Sequence, residues 1–72
     1  MSSHVIRLKD DKDTTKLRQI GSHIPSIAEY RSVTFYNLNH IELNNIIELA
    51  VKNGIEIESS VKDPSLDLMG QI

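Results

Sequence analysis

The sequence predicts a small α/β (α+β) sandwich of order β-α-β-α-β, with two helices on a three-stranded sheet. Three observations carry that expectation. The stretch Ser32–Ser60, SVTFYNLNHIELNNIIELAVKNGIEIESS, reads as strand, helix, strand, with signals at both ends of the helix. An alternating segment, HVIRLK from His4, precedes a shorter apolar stripe of helical period. Aromatic residues make up only 4% of the chain, so the core must be aliphatic.

The first strand is expected at His4–Lys9, where His4, Ile6 and Leu8 fall on one face by the two-residue period. The charged turn Asp10-Asp11-Lys12-Asp13 follows. Asp13 is the expected cap of the first helix, because its carboxylate can accept from unpaired first-turn amides. Leu17, Ile20 and Ile24 then recur at helical spacing. Pro25 disfavours helical geometry at Ile24, so the helix is expected to stop near His23. An earlier stop, with Gly21 just past the end, is the alternative.

Residues 26–31 read two ways. Ser26 and Glu29 have capping-box spacing, which allows a single helical turn. The rival reading is extended, and the loss of alternation between Tyr30 and Val33 argues for a bulge or a separate element. Val33–Asn37 is β-branched and aromatic, with Val33 and Phe35 on one face and Thr34 and Tyr36 on the other.

The second helix is the best specified element. Asn39 and Glu42 form a capping-box pair, and Leu38 and Leu43 have the spacing of a hydrophobic staple. Leu43, Ile46, Ile47 and Ala50 share a face, and Gly54 stands where a helix end needs a left-handed residue. Asn53-Gly54 is also a hairpin signal, but a hairpin explains neither the cap nor the stripe. Ile55–Ser59 alternates as the last strand, which Val61 could extend. Right-handed crossovers would make much of this sheet parallel. A mixed ferredoxin-like sheet is the alternative if residues 27–31 form a strand.

The 72 residues make a single domain, expected at 1–62, followed by an apolar tail at 63–72. A domain of this size buries only about 60% of its unfolded surface, so an oligomer is the expected supplement to the core. Cysteine is absent, which removes disulfides, thiolate zinc sites and thiol catalysis. No signal-peptide pattern or membrane-length apolar run occurs, and a cytoplasmic protein is expected.

Net charge is −2 and the pI is near 5.8, without the basic excess common in nucleic-acid-binding domains. No glycine-rich phosphate loop or GxSxG is present, and no cofactor is expected. The acidic turn lacks the glycine and the glutamate of a calcium loop. His4, His23 and His40 are widely spaced, and none has a ligand-type partner four residues away, so no metal is expected.

These features favour a non-catalytic protein–protein interaction module, a small regulator, inhibitor or adaptor that self-associates as a homodimer or larger homo-oligomer. The expected contact residues are Tyr36 and the tail side chains Leu66, Leu68, Met69 and Ile72. The alternative is a nucleic-acid-binding regulator using Lys12, Lys16 and Arg18. A third reading is a small enzyme, or an enzyme subunit completed across an interface, using His4, His40 or an acidic residue.

Overall fold

The computed structural model describes residues 2–62. The tail residues Leu66, Leu68, Met69 and Ile72 lie outside that range. Six elements follow in order: β1 (Ser2–Leu8), α1 (Asp13–Ile20), β2 (Ser26–Glu29), β3 (Ser32–Leu38), α2 (His40–Lys52) and β4 (Ile57–Lys62). They form one four-stranded sheet, ordered β2-β3-β1-β4, in which every neighbouring pair is antiparallel.

Two expectations are corrected here. The ambiguous stretch 26–31 is a strand and a tight turn, which raises the strand count from three to four. The sheet is therefore neither largely parallel nor mixed. The added strand β2 turns back into β3 through Tyr30-Arg31, so β3 runs opposite to β1 and pairs with it directly. The connectivity β-α-β-β-α-β is that of the ferredoxin-like alternative, a split β-α-β arrangement.

Although β1 is central, both helices lie on the same face. Each β-α-β unit skips one intervening strand, and the two units travel across the sheet in opposite directions from strands of opposite sense. With the usual right-handed crossover, both helices then land on one side. Gly21, Phe35 and Ile46 meet there, joining α1, β3 and α2 in one core. Ile6, Leu8, Val33 and Phe35 supply the sheet side, and Leu17, Ile24, Ile46, Ala50 and Ile55 the helical side.

Local chemistry explains the element ends. Helix α1 starts without a side-chain cap from Asp13, which sits inside the first turn. Backbone carbonyls meet the first-turn amides instead, with the Asp13 amide donating to the Asp10 carbonyl and the Thr14 amide to that of Asp11, both at 3.1 Å. Asp10 Oδ1 accepts from the Lys12 amide at 3.0 Å, and the Thr14 hydroxyl donates to the Asp11 carbonyl at 2.8 Å. The helix ends at Ile20 with Gly21 as its cap, the earlier of the two expected stops.

Helix α2 matches its sequence signals closely. Asn39 Oδ1 accepts from the Glu42 amide at 2.8 Å, and Glu42 Oε1 accepts from the Asn39 amide at 3.2 Å. At the other end Gly54 has φ 77°, the Ile55 amide donates to the Ala50 carbonyl and the Gly54 amide to that of Val51. These are the two bonds of a Schellman motif, and they turn Ile55 back into the core.

Candidate functional site

The helices cover the Phe35 face of the sheet. Among the described residues, no element covers the opposite face. The strand registers align its side chains into rows. One row runs Ile27, Thr34, Val5, Val61 across β2, β3, β1 and β4. The next runs Glu29, Ser32, Arg7, Ser59.

An antiparallel sheet with one solvated face normally carries polar side chains at its outward positions. The second row follows that rule and the first does not. Ile27 is 52% exposed and Val61 58% exposed, while Val5 is half-buried and Thr34 buried between the flanking strands. Alternation along β3 places half-buried Tyr36 towards the same face, and its amide donates to the Pro25 carbonyl at 3.0 Å. Tyr36 is thus the one expected contact residue within the described range. Beside it in β3, Asn37 has φ 56°, at the register shift between Ser2 and His4 on β1. Asparagine tolerates that left-handed geometry better than most residues.

Next to the second row, the β2–β3 turn brings Tyr30 and Arg31 over the end of β1. Arg31 has φ 55°, a position that favours glycine or asparagine in a turn whose third residue is left-handed. It is held there by several bonds. Its amide donates to Asp11 Oδ1 at 2.9 Å, its Nε to the Leu8 carbonyl at 3.1 Å, and its Nη2 to Glu58 Oε2 at 3.4 Å. The guanidinium therefore straps β3 to β4 across β1. Arg7, Tyr30, Arg31 and Glu58 together line a cleft of about 440 Å³.

The other expected groups do not converge. Lys12, Lys16 and Arg18 are all exposed around α1. At about 100° per residue, Lys12 and Lys16 share a side, while Arg18 is turned about 160° away from Lys16. Arg18 Nε donates instead to the Ser26 hydroxyl at 3.4 Å, towards β2.

The histidines are equally dispersed. His4 faces the helical layer in β1, and its buried Nδ1 has no hydrogen-bond partner among the described residues. His23 lies beside a groove between α1 and α2 with Ile20, Ile46 and Leu49, and His40 is exposed in the first turn of α2. No group of three metal-ligating side chains is gathered among the described residues. No described helix is long and apolar enough to cross a membrane.

Compared with protein-family models, curated proteins and solved structures, the chain matches none.

No local sequence pattern places Ile27, Arg7 and Arg31 together on this surface. Ile27 and Val61 become neighbours of Val5 only through cross-strand register. The one local signal for the turn was the break in alternation between Tyr30 and Val33.

Proposed function

We propose that this chain is a non-catalytic protein–protein interaction module, a small regulator or adaptor that self-associates through the open face of its sheet. The observation that carries this reading is the row Ile27–Thr34–Val5–Val61, apolar at three of its four positions where outward positions are ordinarily polar. Contiguous exposed apolar surface marks interaction sites more often than isolated apolar residues do. The small core supports it from the energetic side, since a domain this short gains most from burying a further face.

Sedimentation analysis of the full chain and of Val61→Glu and Ile27→Glu tests the proposal. Both positions are exposed, so each variant is expected to keep its melting temperature while shifting the population to monomer. A wild-type chain that is monomeric at tens of micromolar, or variants with unchanged mass, overturns self-association through this face.

A further inference from the structure

Two opposite charges stand in the second row of the open face. Arg7 comes from the central strand β1 and Glu29 from the edge strand β2, with Ser32 of β3 between them in register. Both are exposed, and neither makes a side-chain hydrogen bond or ion pair among the described residues. The Glu58 carboxylate nearby is already paired with Arg31, at 3.4 Å. The two rows together thus carry an apolar band, one cation and one anion. A face of that composition can complement a copy of itself.

Symmetry limits how two such faces meet. The two-fold axis lies in the plane between them, and every contact is made twice. Laid across the strands, the axis keeps each strand over its own copy, and Arg7 stays two strands away from the partner's Glu29. Laid along the strands between β3 and β1, it sets β2 over the partner's β4 and β3 over the partner's β1. All four strands are then covered. In the first row Ile27 meets the partner's Val61, and Val5 meets the partner's Thr34. In the second row Arg7 stands over the partner's Ser32, a short side chain that is only 9% exposed and leaves the space above it open. The partner's Glu29 is then one strand to the side, about 4.8 Å across the sheet, an offset that the long arginine side chain spans.

We propose that the occupant of the open face is a second copy of this chain, aligned by two reciprocal ion pairs between Arg7 and the partner's Glu29. The inference rests on self-association through this face and adds the alignment of the two copies. The apolar row supplies the burial. The charge pairs fix register and disfavour the setting across the strands, which is how electrostatic complementarity ordinarily serves an interface. A guanidinium suits the role because its planar fork matches a carboxylate in two parallel hydrogen bonds.

The test is sedimentation equilibrium on the full chain, on Arg7→Glu, on Glu29→Arg, and on an equimolar mixture of the two variants. Each variant alone opposes like charges at both contacts, and its dimer is expected to weaken by about tenfold or more. In the mixed pair both contacts join opposite charges again, so the mixture is expected to recover dimers of near wild-type affinity. Melting temperatures monitor folding, and the milder Arg7→Gln and Glu29→Gln should each weaken the dimer and lessen its salt dependence. A mixture as dissociated as its components overturns the pairing, and so does a charge reversal that keeps wild-type affinity. An ion pair within one chain gives the first of these results, since mixing cannot restore it. If Ile27→Glu yields monomer while the mixture fails to recover, the alignment falls and the open-face reading stands. A wild-type chain that is monomeric at tens of micromolar overturns both.

Discussion

Gly21 lies against the ring of Phe35. A methyl group at Gly21 would stand 2.5 Å from Cε1 and 3.0 Å from Cζ of that ring, and 3.3 Å from Cδ1 of Ile46. The backbone there has φ −100°, which any residue adopts. The glycine is therefore required by the approach of the α1 end to the sheet, and not by backbone freedom.

Gly21→Ala is accordingly expected to destabilise the domain by about 1–3 kcal/mol through overpacking. For a domain of this size each kcal/mol lowers the melting temperature by roughly 4–8 °C. Thermal melts of Gly21→Ala, Phe35→Leu and the double variant separate the mechanism. The smaller side chain at 35 should absorb part of the alanine, so the double variant should lose less than the sum. Strict additivity would show that the ring is not what resists the methyl group.

Gly54 presents the opposite case. Its φ is 77° and an added Cβ meets nothing within 4 Å, so space is free and the conformation is the constraint. Gly54→Ala is expected to cost about 1–2 kcal/mol, the usual penalty of a left-handed L-residue. Gly54→Asn should cost clearly less, because asparagine tolerates this region. Equal losses from the two substitutions in urea melts would point away from backbone strain.

Asn39 anchors the other end of α2. Its side chain and that of Glu42 satisfy each other's amides, so Asn39→Ala is expected to cost about 0.5–2 kcal/mol. Glu42→Ala should remove the reciprocal bond, and the double variant should cost less than the two singles added together. Chemical denaturation midpoints with unchanged slopes are the check. A fully additive pair would mean that the two bonds form independently.

These contrasts show which parts of the molecule were legible in the chain. Helix α2 was, because Asn39, Glu42 and Gly54 act within one turn of the residues they satisfy. β2 was not. Its four residues are an edge strand with an exposed pattern, and Ser26 and Glu29 happen to share the spacing of a helix cap. The turn after it was masked by Arg31, which occupies a position where glycine or asparagine would have announced a reversal. Once β2 is counted, the reversal of β3 follows, and with it the antiparallel sheet and the side on which both helices pack. The open face was accessible only in outline. Alternation separated Thr34 and Tyr36 from Phe35, but the row from Ile27 to Val61 depends on pairing between distant segments. The basic residues of α1 show the same limit from the other side, since nearness in sequence at Lys16 and Arg18 becomes divergence around a helix.

Arg31 allows backbone strain and side-chain contacts to be measured apart. Arg31→Ala removes the bonds to the Leu8 carbonyl and Glu58 but keeps a Cβ at φ 55°. Arg31→Gly removes the same bonds and releases the strain. Glycine ordinarily loses more conformational entropy on folding than alanine. Here the order should invert, with Arg31→Gly more stable than Arg31→Ala by about 1 kcal/mol. The ion pair itself contributes little to either difference, because Arg31 and Glu58 are both partly exposed and such pairs are typically worth about 0–1 kcal/mol. Raising the salt concentration should therefore leave the gap between the two variants intact. Urea midpoints at low and high salt provide the measurement. An alanine variant as stable as the glycine one, or a gap that closes with salt, would show that the turn at Tyr30-Arg31 stores no backbone strain.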